Sequence, residues 1–389
     1  MIRTIHMQNF KCLHDVKVDL GMFNVLIGPN DSGKTSLLDA IYLLGETTRR
    51  PWSEVFSGDY QPQKFVWEGD VTAEIKWDVE GPLDDTGFSY SFSIMPGSSF
   101  CKERLSCGTN RMVARQSLPD GTTQYDIVSS YAGDSRTQNT RGQSAFFTVL
   151  RNSPRPPFFD AVQRSFASSQ KFDLSPQSLR RATKLEANCT LSPSGDNLVA
   201  VLDQIFTGPN GNIRIELENA LQEAIPTVRG IYLPIVDQNQ QLKKLDFTLA
   251  MNGAQPQTIP SALASDGAVI VTAFLALAYG DTPEILLIEE PDKGLHPTLM
   301  NKVVELLRKM STGEVGNRAR QIILTTHSPI LLNYVEPHEV RIFRRYPKTG
   351  TNVTPMDQVP GIERLRKEFA TGALWNMLGE EGLLEEAPA

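Results

Sequence analysis

Apolar and polar positions alternate at the start of the chain, in IRTIHMQN and DVKVDL, and the alternation then gives way to the continuous apolar run FNVLIG. Period-two alternation predicts strands with one buried face, and an unbroken run predicts a strand buried on both faces. Beyond the run the period changes. Leu37, Leu38, Ile41 and Tyr42 recur at helical spacing and predict an amphipathic helix from about Gly33 to Leu44.

Between about 47 and 190, alternating stretches such as VTAEIKWDV and FSYSFSIM sit among Gly, Ser, Asp and Pro-rich turns, which predicts an inserted antiparallel sheet region. The clustered prolines of NSPRPPFF mark a seam between that sheet and a helical part, with helices expected at 196–206 and 213–224. After Arg229, strand and helix alternate: IYLPIV, LDFTLA, a helix from Gly267 to Ala278, EILLIEE, a helix near Leu299 to Met310, and QIILTTH. That order predicts a largely parallel sheet covered by helices.

Composition sets limits on this picture. In 389 residues, 40% are apolar and 21% charged, the balance of a globular chain rather than a disordered or membrane one. No run approaches the length that spans a bilayer, and nothing at the N-terminus reads as an export signal, so a cytoplasmic protein without a membrane association is expected. Cys12, Cys101, Cys107 and Cys189 form no CxxC pair and have no histidines at zinc spacing, so reduced thiols are expected. The net charge of −7 gives no global positive field for nucleic acid. A local patch would have to come from Arg341, Arg344, Arg345 and Lys348, or from Arg364, Arg366 and Lys367, and either set reads equally as a solvated face.

The candidate chemistry starts at the end of the apolar run. GPNDSGKT, Gly28 to Thr35, satisfies GxxxxGK[ST], with a strand before it and a helix after it. Backbone N–H groups at such a helix start wrap a phosphate, and the helix dipole favours its charge. The stretch Asn30, Asp31, Ser32, Gly33, Lys34, Thr35 and Ser36 is therefore the candidate ATP cradle, with Lys34 reaching the β and γ phosphates and Thr35 ligating Mg2+.

Near the other end, ILLIEEP delivers Glu289 and Glu290 at the C-terminus of a buried strand, where ligand crevices form. One acid can hold Mg2+ and the other can polarise a water; Glu289 is assigned to the metal and Glu290 to general-base work. The next strand, QIILTTH, ends in His327, which can donate to a γ-phosphate or cap the structure. His296 in GLHP fits a helix start better than catalysis. LASDGA places Ser265 and Asp266 immediately before an apolar helix, where they either cap it or meet a phosphate.

Taken in order, NFKCL, GPNDSGKT, SDG, ILLIEEP, GLHP and ILTTHSP resemble the ABC-type ATPases of the SMC/RecF branch, and most closely the ATPase domain of OLD (overcoming lysogenization defect) proteins. The resemblance implies an α/β fold, an ABC-type P-loop ATPase head with an antiparallel β insertion and a helical signature lobe. It implies an ATPase core in 1–46 and 228–389, an inserted β-rich region in 47–157 and a helical lobe in 158–227, and the tail GALWNMLGEEG fits the same family. In such proteins ATP sits between two heads. Carried across, Ser265 acts in trans on the nucleotide of a partner copy, His327 is the switch histidine, Asn30 lies beside the γ-phosphate, and Lys11 or its neighbours approach the base or ribose. Gln61 and Gln63 are candidates for the Q-loop glutamine.

This chain departs from the pattern in three places: ASDGA replaces the fuller LSGGQ, Glu289 stands where many relatives have Asp, and PDKGLHP replaces the transporter-type D-loop. About sixty residues follow His327, too few for the Toprim nuclease domain of OLD nucleases. The resemblance thus implies an ATP-bridged homodimer or higher homo-oligomer that hydrolyses Mg-ATP in a DNA-related process, such as defence against phage, with a separate nuclease or toxin effector chain. Two alternatives are an ATP-dependent sensor or scaffold with little turnover and the nucleotide-binding subunit of a transporter. The long insertion and weak signature argue against the second.

Overall fold

The structure is a computed structural model that describes residues 1–83, 85–97, 101–108, 111–117, 122–129, 134–141, 157–209, 211–239, 241–250, 255–316, 318–365 and 370–375. The proline seam at 152–156, the cations Arg366 and Lys367, and the end of the tail motif lie outside them. The chain divides into two compact units, one built from 1–169 with 338–360, the other from 170–337 with the described residues after 360.

In the first unit the alternating segments form the hairpin β1 (Thr4–Phe10) and β2 (Leu13–Asp19), and the apolar run forms β3 (Phe23–Ile27), every residue of which is buried. The inserted region is antiparallel, as its alternation predicts: β4 (Ile75–Gly81), β5 (Phe88–Ile94), β6 (Cys101–Cys107), β7 (Arg111–Ser117), β8 (Thr122–Ser129) and β9 (Asp134–Arg141). It is not a separate sheet. β1 pairs with β2 on one side and β4 on the other, so all eight strands lie in the order β2-β1-β4-β5-β6-β7-β8-β9.

Helix α1 (Lys34–Thr47) runs three residues beyond the predicted end, and its apolar face is buried by Leu37, Leu38, Ile41 and Leu44. The Trp77 indole N–H donates to the Ala40 carbonyl at 3.2 Å, tying β4 to this helix. Trp77 also meets Phe10, Phe56 and Phe92 at ring separations of 5.5, 5.5 and 5.6 Å, the spacing of tilted aromatic pairs. Helix α2 (Pro157–Ala167) follows the insertion, and its Gln163 side chain donates to the Thr48 carbonyl just past α1. Beside β3 runs the parallel strand Val340–Tyr346, paired in turn with the antiparallel strand Gly350–Pro355.

The second unit holds α3 (Leu198–Thr207), α4 (Asn212–Ala224), α5 (Asp266–Tyr279) and α6 (Pro297–Thr312), each within about two residues of its expected bounds. Helix α5 is apolar all round, and Gly267–Ala278 are buried without exception, as a central helix requires. Burial of its larger side chains contributes about 1.5–3 kcal/mol each. The strands Ile285–Glu289 and Gln321–Thr326 pair in parallel, with Glu289 opposite Thr325. Among the described residues no helix is long and apolar enough to cross a membrane.

Candidate functional site

The chemistry-bearing residues fall into two groups, one in each unit. In the first, the apolar strand β3 ends at Ile27 and the chain turns through Gly28 to Gly33 into α1. Two glycines make this turn. A Cβ at Gly28 would lie 2.1 Å from the Phe343 carbonyl oxygen, and Gly33 sits at φ 106°, where a side chain would also meet the Thr351 hydroxyl. Asp31 accepts the left-handed region as well, at φ 62°.

Gly33 is the N-cap of α1 and offers no side-chain acceptor, so the first turn of the helix is left uncapped by its own residues. That is the anion-binding form of a helix start. The Lys34 ammonium is buried in the loop and donates to the carbonyls of Gly28 (2.8 Å) and Pro29 (2.6 Å), while Asn30, Asp31 and Thr35 are exposed and Ser36 is half-buried. Thr351 braces the cradle from a distant strand: its hydroxyl donates to the Ser32 carbonyl at 2.8 Å. Lys11 lies in the turn between β1 and β2. Its ammonium pairs with the buried Asp39 carboxylate on α1.

In the second unit, Glu289 ends its strand and Glu290 begins the turn at φ 41°, a strained conformation for a side chain of this size. Its N–H is held by the Thr325 carbonyl (3.1 Å) and hydroxyl (3.2 Å) on the neighbouring strand. The Glu290 carboxylate then faces His327 Nε2 at 3.7 Å and the Lys293 ammonium at 3.4 Å. The parallel register brings Glu290 and His327 together, since both follow adjacent strand ends.

Glu289 Oε1 is buried, forms no hydrogen bond and lies 2.9 Å from Lys171 Nζ in an ion pair. A buried carboxylate oxygen in that position fits a hard cation. Among the described residues no group of three or more His, Cys, Asp or Glu could hold a metal by itself. A hard cation such as Mg2+ keeps several waters and takes one or two carboxylates plus phosphate oxygens. The exposed Thr35 hydroxyl of the first unit belongs to the same donor class.

Three participants were missed. Lys171 and Asp173, which pairs with Lys293 at 3.8 Å, come from the strand Ser169–Phe172 and the turn after it, and no local motif marks them. Asp292 is the third: burial raises its carboxyl above the ordinary range, Glu290 adds to the shift, and the Thr326 hydroxyl and His327 oppose it. Its signal was present, a third acid two residues after the Glu289–Glu290 pair.

His296 is a cap, accepting the Thr298 N–H at 3.4 Å through Nδ1 at the start of α6. Ser265 caps α5, accepting the Ala268 N–H at 3.2 Å, and stays exposed. Arg341 leaves the basic patch: it is buried and donates to the carbonyls of Asp19 and His338, whereas Arg345 and Lys348 are exposed. Gln61 and Gln63 are both exposed, at the start of a short helical turn.

A glycine-made phosphate cradle and strand-end acids are the working parts of an ATPase domain. The chain belongs to the family described as "AAA domain, putative AbiEii toxin, Type IV TA system", whose model matches residues 129–333, more than half its length. The description "AAA ATPase domain" matches residues 1–85. The OLD nuclease of Thermus scotoductus is 24% identical over 403 residues, covering 98% of this chain and 70% of that protein. The DNA replication and repair protein RecF of Vibrio campbellii is 59% identical over 39 residues, 10% of this chain and 11% of RecF.

Two solved structures share the fold at 12% identity. One is the Smc head domain with an extended coiled coil bound to the C-terminal domain of ScpA, derived from Pyrococcus furiosus, with a TM-score of 0.52 over 95% of this chain and all of that one. The other is the SmcHead bound to the C-winged helix domain of ScpA, with a TM-score of 0.51 over 91% of this chain and 97% of that one. The α/β head expected from the motifs is borne out, as is the resemblance to the ATPase domain of OLD proteins within the SMC and RecF branch.

Proposed function

We propose that the chain binds and hydrolyses Mg-ATP and that two copies close on the nucleotide to drive or gate a DNA-related process. The observation that carries this reading is the glycine-imposed turn from Gly28 to Gly33 ahead of an uncapped helix, with Lys34 buried inside it. In this reading the N–H groups of Asn30 to Ser36 hold the phosphates, Lys34 neutralises the β and γ oxygens, and Thr35 and Glu289 hold the cation. Bound Mg2+ would supply charge neutralisation to the transferring phosphoryl group. Glu290 accepts the proton of the attacking water, and the neighbouring His327 donates to the γ-phosphate. Ser265 completes the site of the partner copy.

The relatives' names, OLD nuclease and RecF, support a DNA-related task, and defence against phage with a separate nuclease or toxin effector is the form we favour. ATP shared between two copies would supply the differential affinity that a conformational switch needs. The test is phosphate release by the purified protein with Mg-ATP, alongside Glu290→Gln and Lys34→Ala. Turnover should be lost in both, with ATP still bound by Glu290→Gln. Unchanged turnover in Glu290→Gln would remove the assigned base, and a cellular phenotype that needs Lys34 but not Glu290 would make binding, not hydrolysis, the relevant event.

A further inference from the structure

The segment that presents Ser265 is tied at its two ends, where the Ser261 N–H donates to the Leu245 carbonyl at 3.0 Å and Ser265 caps α5. It consists of a single turn at Ser261–Leu263, with Leu263 75% exposed, followed by Ala264 and Ser265 in extended conformation before α5 begins. Its one internal backbone bond is from the Ala264 N–H to the Ser261 carbonyl. A hydroxyl that is to act on another molecule's nucleotide must nevertheless be fixed to within a fraction of an ångström.

Between those ends the segment is held by Arg180, about eighty residues earlier in the chain. It follows the short turn Pro176–Leu179, which Ser175 caps and the buried Leu179 anchors. Its guanidinium makes three bonds to the Ser265 segment. Nε donates to the Ser261 carbonyl at 2.8 Å, and one terminal nitrogen donates to the Ala264 carbonyl at 3.0 Å and to Asp266 Oδ1 at 2.6 Å. The acceptors lie on both sides of Leu263 and on both sides of Ser265, so the planar fork spans the segment. A lysine, a point charge on a flexible stem, cannot reproduce that span.

We propose that Arg180 is a positioning residue for hydrolysis in trans: it sets the Ser261–Asp266 segment so that Ser265 meets the nucleotide held by a second copy of this chain. The proposal rests on the reading of Ser265 given above. The bonds of Arg180 go to the Ser261–Asp266 segment, and its effect is on the face its own copy offers to the partner.

The experiment is turnover by mixed variants. Arg180→Ala should bind a fluorescent ATP analogue with near-unchanged affinity and lose turnover about a hundredfold, the scale of a slightly misplaced group. Lys34→Ala alone is inactive because it cannot hold nucleotide. Mixed, the two should regain turnover, since Arg180→Ala contributes an intact cradle and Lys34→Ala an intact Ser265 segment. A merely unfolded variant would not be rescued. If Arg180→Ala melts, Arg180→Lys carries the same test, because it keeps the stem and charge but not the fork.

Retained turnover in the Arg180 variants, or no recovery on mixing while Ser265→Ala is rescued by Lys34→Ala, overturns the role of Arg180 alone. Full activity of Ser265→Ala by itself overturns the reading of Ser265 and the proposal with it.

Discussion

The phosphate cradle and the carboxylate group achieve fixed geometry by opposite means. From Gly28 to Gly33 the backbone does the work: a 2.1 Å clearance at Gly28 and a left-handed φ at Gly33 dictate the path, and the helix start supplies the donors. At Glu289, Glu290 and Asp292 the side chains do it, held by Lys171 from a distant strand, by Thr326 and His327 at the neighbouring strand end, and by Lys293 in the same turn. A backbone site fails when its shape is blocked. A side-chain site fails in graded steps as single partners are removed.

That contrast predicts the size of effects. The largest belongs to Gly28→Ala: the new methyl meets a backbone carbonyl that cannot give way, so stability should fall by about 3 kcal/mol or more, read by chemical denaturation, and nucleotide binding should vanish with it. Glu290→Gln should leave folding intact and cut turnover about 10²–10⁴-fold, read by phosphate release. A fall in stability as steep as that of Gly28→Ala would erase the distinction between the two regions.

Smaller effects sharpen it. Thr351→Val removes the donor to the Ser32 carbonyl and should cost about 1 kcal/mol in a thermal or denaturant melt, with a weaker affinity for ATP. Asp292→Asn should do the reverse and stabilise. Burial raises the folded carboxyl above 3.8, so the folded state favours the protonated form, and the cost of ionisation appears as pH rises through the folded value. The melting temperature of Asp292→Asn should therefore exceed that of the parent at neutral pH, with the gain fading below the ordinary carboxylate pKa of 3.8. A gain that persists at acid pH would point to packing instead of charge.

The same contrast explains what the sequence made legible. The cradle is eight consecutive residues, so strand, turn and helix can be read without knowing the rest of the molecule. Glu289, Glu290 and His327 are also local signals, because each follows an apolar run. Lys171 in KFDL and Arg180 in SLRR carry no such flag, since their partners Glu289 and Ser261–Asp266 lie some eighty to a hundred and twenty residues further on. The inserted strands were readable by alternation, but not their continuity with β1, since pairing of Thr4 with Glu80 is a tertiary fact. Arg341 reads as a surface cation until the structure shows its guanidinium buried against the Asp19 carbonyl.

The central claim is that ATP held by this cradle and spared by loss of Glu290 brings two copies together. Light scattering of Glu290→Gln, with and without Mg-ATP, tests it most directly, with Lys34→Ala as the control that cannot hold nucleotide. The account predicts a nucleotide-dependent doubling of mass for Glu290→Gln and none for Lys34→Ala. A Glu290→Gln protein that binds ATP and remains at the mass it has without nucleotide would contradict it.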